Sequence, residues 1–461
     1  MFVLSSTFSQ KIIYESTLEN ARALSLKQGK PLAILITIEP PVVTPNFLHG
    51  LSDGRVIEKF NSNFVNYKVD RKDTAVSGPL VRDHHVYSFP ALLFFDAKGG
   101  IIFNDLAILS RAEGLLSTVD KAVVMSKEKS LVDYDQESRS GVVNRDFLKS
   151  YIGKRRSAGI IDNADLIEKY VSLLSVQDLN NYAEVLFILQ AGPLYDSTAY
   201  KLAYTNRKIV DSIYRSEPLP VRVALNNAII ANTMKSAIAN KNISRAYAVA
   251  NFTRNTWTND RLQGEKNWNL KILQYYIGIK DTLSYLRTAA NYYERHYMLI
   301  STDSARRRDS MNFEWARMRA VNNSREASAA QSGRIPRDSS SMISNGEITR
   351  SIKRDTVSRT VSFSFPKDMY AMELNNAAWS FYLMAGDNSD YLMKAMLWSR
   401  RSLELAEKAA FYDTYAHLLY KLKFYSEAES MQKKAVAAAK MEKIDGKIYE
   451  SEYTRIKNRT L

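Results

Sequence analysis

The amino-acid sequence predicts an α/β domain at the N-terminus followed by an all-α helical-repeat region. In residues 11–130, short runs of β-branched and apolar residues alternate with amphipathic segments, which is the pattern of strands and helices in one mixed sheet. From about residue 146 to residue 320, helical periodicity dominates and glycine is scarce. A chain of 461 residues has room for both parts.

Composition limits the function classes that remain open. Hydrophobic residues make up 45% of the sequence and charged residues 25%, which is typical of a globular protein. No run of about 18 apolar residues occurs, so no transmembrane segment is expected. The sequence contains no cysteine, which excludes disulfides, thiolate metal ligands and thiol nucleophiles. The 64 Lys+Arg against 49 Asp+Glu give a formal net charge of +15.

The N-terminal segment 1–10 resembles the end of a secretory signal peptide. A short apolar stretch is followed by small residues, but the basic n-region is missing. One interpretation is a truncated signal peptide, and the other is an ordinary N-terminus. The first interpretation favours a periplasmic or cell-envelope location, while a cytoplasmic location stays open.

The elements of the domain at 11–130 follow from these patterns. We expect strands at 12–15, 31–38, 63–70, 91–96 and 101–103, and helices at 18–28, through Val56, Ile57 and Phe60, and at 112–125. The continuously apolar run at 31–38 indicates a central strand that is covered on both faces. A polar loop is expected before residue 91, and Gly99-Gly100 supplies the positive φ of a hairpin turn. The strands at 31–38 and 63–70 predict a βαβ unit with a right-handed crossover.

Five short segments stand at characteristic places in this domain. They are Lys30-Pro31, Asn63-Phe64-Val65, Lys68-Val69-Asp70, residues 87–96 and Gly99-Gly100. Together with the order of the elements, they resemble the thioredoxin fold, specifically its bacterial branch, over residues 11–128. In that family the proline before the third core strand is cis and faces the redox site. The resemblance therefore implies this position for Pro90, which follows Phe89.

The chain departs from the thioredoxin family at the redox site. Redox-active members carry two cysteines after the first central strand, and the resemblance places these positions near Pro40 and Val43. The segment reads Pro40, Pro41, Val42 and Val43, so thiol–disulfide exchange is excluded. Two interpretations stay open. In the first, the domain has only a structural role. In the second, the loop at 40–43 and the candidate peptide-binding residues Phe89 and Pro90 still bind an extended peptide.

The middle region, residues 131–321, predicts stacked helical hairpins. Helical patterns occur at 164–174, 182–190, 224–239, 243–256, 268–277 and 282–298. Turn signals at 217–220 and 259–260 separate some of them. Because such hairpins cannot bury their apolar faces alone, neighbouring hairpins must stack, and a solenoid is expected.

Residues 322–366 break this pattern. The segment is rich in serine and arginine and cannot build a packed core, so we expect a flexible basic insert. Its alternatives are a solvated linker and a nucleic-acid-binding arm. Aromatic residues that could stack on bases are nearly absent there, so no nucleic acid is expected as a partner.

The C-terminal segment 367–461 contains small and apolar residues that recur at one spacing. The pairs, 33 residues apart, are Ala395 with Ala428, Trp398 with Met431, and Ser402 with Ala435. This spacing, with Ala416 and Leu419, resembles a tetratricopeptide pair, in which small residues let paired helices approach closely. The resemblance implies protein binding on a concave helical surface; the alternative is that two repeats only cap the preceding helices. The whole chain thus resembles bacterial exported thioredoxin-fold proteins that carry a tetratricopeptide region.

The search for other chemistry finds little. The five histidines do not form a metal-binding motif, and no nucleophile or phosphate-loop motif occurs. Asp70 and His84 are the candidates for acid–base work in the thioredoxin-like cleft, but such polar residues are usually solvated or capping. We therefore expect no enzyme activity, no cofactor and no metal.

Three functions from different classes follow. The first is a noncatalytic protein-binding or scaffold factor, whose protein partners the sequence does not identify. The second is a thiol-independent folding helper that binds extended peptide near Pro90. The third is attachment to an anionic surface or to nucleic acid through the net charge of +15, which salt would weaken steeply.

Overall fold

The structure is a computed structural model. In it the chain folds into two compact units. The first unit is Met1–Thr256 and the second is Trp257–Leu461. The residues described are 11–38, 45–84, 86, 89–105, 111–311, 313–314, 318, 342–344, 347–352, 359–361 and 368–461. The predicted signal remnant at 1–10 and the redox-motif positions Pro40, Pro41, Val42 and Val43 lie outside the described residues. The predicted domain boundaries stay predictions.

A four-stranded mixed sheet forms the N-terminal part of the first unit. Its strands are β1 (Leu32–Thr37), β2 (Val65–Asp70), β3 (Ala91–Phe95) and β4 (Ile101–Asp105), in the spatial order β2-β1-β3-β4. Strands β1 and β2 are parallel, as the predicted βαβ unit requires, whereas β3 is antiparallel to both β1 and β4. The hairpin between β3 and β4 is confirmed, with Gly99 at φ 87°.

Helices cover both faces of this sheet. They are α1 (Leu18–Gln28), a 3-10 helix (Pro45–Ser52), α2 (Gly54–Asn63), α3 (Thr74–Asp83) and α4 (Ala112–Ser126). Ala33 and Leu35 of β1 pack in one core with α2 and α4, while Ile34 and Ile36 belong to the core on the other face. Every residue of β1 is buried, which explains its continuously apolar sequence.

Two predictions for this domain are wrong. Residues 12–15 do not form a strand, and only Glu15 makes an isolated parallel bridge with Tyr67. Asparagine side chains replace a strand partner there, because Ile13 N donates to Asn61 Oδ1 at 2.9 Å and Asn66 Nδ2 donates to the Ile13 carbonyl at 3.3 Å. The expected polar loop before β3 contains helix α3, which Asp73 caps by accepting from the Val76 amide.

The rest of the first unit is helical. Its elements are α5 (Leu131–Arg139), α6 (Arg145–Ser157), α7 (Ala164–Val171), a 3-10 helix (Asp178–Asn180), α8 (Tyr182–Gln190), α9 (Thr198–Ala203), α10 (Arg207–Ser216), α11 (Leu219–Ala239) and α12 (Ile243–Asn255). Most of these helices begin at an asparagine or serine whose side chain accepts a hydrogen bond from a first-turn amide; they are α5, α6, α8, α9, α10 and α12. The predicted change from mixed α/β structure to helices is confirmed.

The second unit is mainly helical. Its elements are α13 (Arg261–Gly278), α14 (Thr282–Tyr293), a π-helix (Glu294–Met298), α15 (Met369–Met384), α16 (Ser389–Leu405), α17 (Ala409–Lys421), α18 (Tyr425–Glu442) and α19 (Lys447–Lys457). Residues 302–311 are also helical. Three short antiparallel strands lie inside the predicted insert: β5 (Met342–Ser344), β6 (Glu347–Ile352) and β7 (Arg359–Val361). The flexibility predicted for that insert stays a prediction.

The helical hairpins repeat one kind of turn. Lys241, Lys280 and Lys423 each follow a helix in left-handed conformation, with φ of 48°, 61° and 69°. In each turn the next amide donates to the carbonyl five residues earlier, as Phe424 N does to Leu419 O at 2.9 Å. A lysine at this place has an unfavourable φ, but its charge interacts favourably with the end of the helix dipole. This recurrence makes the region helical repeat-like.

In the second unit the hairpins stack in sequence. Helix α15 contacts both its partner α16 and the first helix of the next hairpin, α17, which in turn contacts α18 and α19. The first helices of successive hairpins therefore lie side by side. One face of α15, α17 and α19 is thus assembled from segments far apart in the sequence.

Candidate functional site

The carboxyl ends of β1 and β2 form one candidate site with the residues before β3. Thr37 pairs with Asp70 in the register of β1 and β2, and Ile36 pairs with Ala91 in the register of β1 and β3. Phe89 and Pro90 therefore lie at the same end of the sheet as Asp70, beside the carboxyl ends of β1 and β2. The Phe89–Pro90 peptide bond is cis, as the resemblance implies.

Arg71 and Phe89 place a positive charge next to an aromatic ring at this end of the sheet. The Arg71 guanidinium carbon lies 5.5 Å from the centroid of the Phe89 ring, within the range of a cation–π contact. The Arg71 amide donates to the Thr37 carbonyl at 2.7 Å, and its carbonyl accepts from Ser77 Oγ at 3.1 Å. Because Phe89 and Pro90 are half-buried, they offer an apolar surface beside a fixed positive charge.

The candidate acid–base residues Asp70 and His84 are not brought together. The His84 ring packs edge-on against Phe95, with 5.1 Å between centroids, and Phe95 pairs with Leu32 at the start of β1. Asp70 lies at the other end of the sheet, about 16 Å away along the strand direction. Its carboxylate accepts from the Lys72 amide at 2.8 Å. This geometry matches a turn-capping role for Asp70.

A second candidate site lies on the face shared by α15, α17 and α19. We use the name His417 groove for the set of side chains on this shared face. Its residues are Trp379 and Tyr382 of α15, Asp413, His417 and Lys421 of α17, and Glu452 and Arg455 of α19. Spacings of three or four residues place these side chains on one side of each helix. His417 is buried, and the aromatic and charged groups around it are half-buried or exposed.

His417 occupies the centre of the groove. Its Nδ1 donates to the main-chain oxygen of Asp413 at 2.8 Å, and its Nε2 lies 3.4 Å from a carboxylate oxygen of Glu452. Its ring stands edge-on to Trp379 and Tyr382, with centroids 5.3 and 5.5 Å away. One side chain of α17 thereby contacts both neighbouring first helices, α15 and α19.

Lys421 and Asp413 of the groove make hydrogen bonds to neighbouring helices, whereas Arg455 and Glu452 pair within α19. Lys421 Nζ donates to the Tyr382 carbonyl at 2.8 Å and lies 4.9 Å from the Tyr382 ring centroid. Burial raises the pKa of Asp413, whose carboxylate accepts from Gln432 Nε2 at 2.7 Å. Arg455 pairs with Glu452 at 2.9 Å. A half-buried aromatic surface flanked by positioned charges is suited to binding a polypeptide segment.

The sequence did not reveal this groove. His417 is one of five histidines that form no metal-binding motif, and Trp379, Tyr382 and Lys421 share no sequence motif with it. The available signal was the four-residue spacing of Asp413, His417 and Lys421 on a predicted helix. Only the stacking of α15, α17 and α19 brings the remaining residues to them.

Another titratable group in the second unit helps to anchor helix α15. Asp309 accepts from the Tyr370 amide at 3.0 and 3.2 Å, at the first turn of α15. The Tyr370 hydroxyl donates to the main-chain oxygens of His296 and Tyr297 in the π-helix. Burial raises the pKa of Asp309 to about 6, with the carboxylates of Asp368 and Glu373 contributing.

Replacing Asp309 by asparagine is expected to stabilise the second unit at neutral pH. Because the folded state raises the pKa of Asp309 from its usual value of 3.8 to about 6, this group favours folding most below pH 4. Its contribution falls as the pH rises through 6. An asparagine side chain at this position keeps the acceptor oxygen without the charge, so the unfolding free energy at pH 7 should rise by about 1 kcal/mol, since partial exposure screens the effect.

Urea denaturation at pH 4 and at pH 7 measures this difference. Asp309→Asn should reduce the loss of stability between these two pH values, whereas Ser310→Ala, which removes no titratable group from the same helical segment, should leave it unchanged. An unaltered pH dependence in Asp309→Asn would contradict the assignment of this titration to Asp309.

Among the described residues, no group of three or more His, Asp or Glu side chains is placed to hold a metal ion. No helix in the part of the chain that the structure describes has the length and apolar character needed to cross a membrane. No family model matches the sequence, and no curated protein gives a significant match to it.

Proposed function

We propose that the protein is a noncatalytic protein-binding or scaffold factor of the cell envelope. It combines an N-terminal domain of thioredoxin-like fold with an arm of tetratricopeptide-like helices. Protein partners bind along the arm, and the N-terminal domain provides a second contact surface. The proposed periplasmic or envelope location rests on the character of residues 1–10 and on the resemblance to exported proteins of this architecture.

The topology of the sheet and a cis proline support the thioredoxin-like assignment. The parallel pair β1 and β2 is joined through α2, the antiparallel strands β3 and β4 follow, and helices cover both faces of the sheet. A cis proline precedes β3. The absence of cysteine from the sequence excludes thiol exchange for such a domain.

The tetratricopeptide-like assignment is supported by the 33-residue spacing and by the stacking of α15, α17 and α19. At the places where the helices approach closely, Ala395, Ala416, Ala428 and Ala435 are fully buried. Small residues at such contacts let the helix axes come near each other. The resulting face is the surface that carries the His417 groove.

The His417 groove is the observation that carries the proposed function. Trp379 and Tyr382 stack with 4.9 Å between ring centroids, and both rings are held by His417. Rigid, half-buried aromatic rings next to positioned charges are the residues that contribute most to protein-binding surfaces. We propose that an extended or helical segment of a partner protein lies over these rings, between Lys421 and Glu452.

The test compares partner binding by three full-length proteins. We expect Trp379→Ala combined with Lys421→Ala to weaken binding of captured envelope proteins by tenfold or more, as roughly 2 kcal/mol from one interface residue implies. Trp257→Ala is the matched control, because this tryptophan is 42% exposed in the same unit but lies outside the groove. Proteins captured by wild type and control, but not by the groove variant, are to be identified and their affinities measured.

Equal capture by all three proteins would contradict a role of the groove. Circular dichroism and urea denaturation of each variant separate lost binding from lost folding. If the groove variant and Trp257→Ala both lost binding while folded, another surface would bind the partner, and the proposal for the His417 groove would be withdrawn.

A folding helper that binds peptide at Phe89 and Pro90 is the second candidate function. It is favoured by the Arg71–Phe89 contact, which presents a half-buried ring and a positive charge at one sheet edge. Refolding yield of a reduced, denatured substrate protein tests it. The wild type should raise the yield and Phe89→Ala should not, whereas Leu26→Ala, an exposed apolar residue elsewhere in the domain, should act as the wild type does.

A further inference from the structure

The turn between α18 and α19 exposes several apolar side chains. Met441, Ile444 and Ile448 are 85%, 46% and 66% exposed, within eight consecutive residues. Ile444 is held in place because its amide donates to the Ala439 carbonyl at 3.1 Å. Met441 lies at the end of α18, Ile444 lies in the turn and Ile448 lies at the beginning of α19. Clustered apolar exposure of this kind marks an interaction surface.

Exposed lysines precede, separate and adjoin these apolar residues in the sequence. We call residues 433–448 the lysine tip. Its five lysines, all exposed, are Lys433, Lys434, Lys440, Lys443 and Lys447. The tip contains only two carboxylates, and both accept hydrogen bonds at helix N-termini. Glu442 Oε1 accepts from the Ala409 amide at 2.6 Å, and Asp445 Oδ1 accepts from the Lys447 amide at 3.1 Å. The lysines therefore dominate the charge that the tip presents to solvent.

We propose that the lysine tip docks on an anionic phospholipid surface. Lysines are attracted to anionic headgroups over a Debye length, and the apolar side chains between them then enter the boundary of the acyl chains. A basic surface with protruding apolar residues is the combination that holds proteins at such an interface. This surface binding is independent of the proposed protein binding in the His417 groove.

The residues of the tip favour a lipid surface over a nucleic acid. Nucleic-acid surfaces that bind single strands combine basic residues with aromatic rings on which bases stack. Residues 433–448 contain no aromatic residue, and Met441, Ile444 and Ile448 would gain nothing from phosphates in water. In a lipid interface, by contrast, burial of these same side chains is favourable.

Vesicle co-sedimentation of the full-length protein tests the proposal. The wild type should bind vesicles containing roughly one-third phosphatidylglycerol but not pure phosphatidylcholine vesicles, and salt should weaken this binding. Lys433→Glu, Lys440→Glu and Lys447→Glu together should lower the partition coefficient on the order of a hundredfold, since each lysine contributes roughly fivefold. Met441→Ser with Ile448→Ser should also lower binding, most clearly at high salt.

The control variant makes the same change in net charge at lysines outside the tip. Lys27→Glu, Lys201→Glu and Lys208→Glu alter three exposed lysines of the first unit and should leave most of the binding intact. Equal losses in the two triple variants would overturn the proposal, because net charge alone would then explain attachment. It would also be overturned if the tip variant lost binding to a DNA oligonucleotide while still binding the vesicles. Circular dichroism of each variant checks that the helices remain folded.

Discussion

Replacing Trp398 by alanine should lower the free energy of unfolding of the second unit by about 3–5 kcal/mol, the range for truncation of a fully buried aromatic residue. The Trp398 side chain is 0% exposed, and its ring lies 4.7 Å from Phe381 and 5.2 Å from Tyr293, measured between centroids. Its Nε1 donates to Glu294 Oε1 at 3.1 Å, at the beginning of the π-helix. Alanine would leave a cavity and remove this hydrogen bond.

Two further variants divide this expected loss into its parts. Trp398→Phe keeps most of the ring volume and removes the indole donor, so it should cost about 1–2 kcal/mol. Trp379→Ala truncates a half-buried tryptophan of the same unit and should cost much less than Trp398→Ala. Urea denaturation followed by circular dichroism measures all three. Equal costs for Trp398→Ala and Trp379→Ala would mean that the core of the second unit is not built around Trp398.

The contrast between these two tryptophans also separates folding from binding. Trp398 packs inside the stack of helices, whereas Trp379 contributes its ring to the His417 groove. Substituting a core residue should lower the stability and should reduce binding only through unfolding. Substituting a groove residue should reduce binding while the protein remains folded, which is the behaviour expected for Trp379.

Local sequence patterns predicted most elements of the N-terminal domain. Helix α1 was predicted at its observed bounds, and β1, β2, the hairpin and α4 were placed to within a few residues, because each shows a clear periodicity or turn signal. Helix α3 was missed, since Gly78-Pro79 in its interior resembles a turn. The apolar run at 12–15 resembles a strand, but Asn61 and Asn66 satisfy its backbone instead.

The candidate sites were less predictable than the elements. Phe89 and Pro90 could be singled out because a resemblance placed them before a strand, and the register of β1 and β3 brings them to the edge near Asp70. The His417 groove joins residues more than 70 positions apart, such as Trp379 and Glu452. No local periodicity can show which faces of stacked helices meet, because that depends on packing between hairpins.

Replacing Gly192 by alanine should destabilise the first unit by about 3 kcal/mol, since it combines an unfavourable backbone conformation with a close contact. Gly192 has φ 71°, and a Cβ atom built on it would lie 2.7 Å from Asn232 Nδ2 and 2.9 Å from the Cβ of Ala228. Asn232 cannot simply rotate away. Its buried amide donates to the carbonyls of Gly192 at 2.6 Å and Ile161 at 2.8 Å.

Gly29→Ala is the matched control, because Gly29 has a similar φ of 63° but open space where the Cβ would lie. It should cost only about 1 kcal/mol, the contribution of the backbone conformation alone. Urea denaturation of both variants then isolates the close contacts with Asn232 and Ala228 as the difference between them. Adding Asn232→Ala to Gly192→Ala should cost less than the sum of the two single changes, because the contact with the Asn232 amide disappears while the contact with Ala228 remains. Additive costs, or equal costs for Gly29→Ala and Gly192→Ala, would show that the left-handed backbone alone requires glycine at position 192.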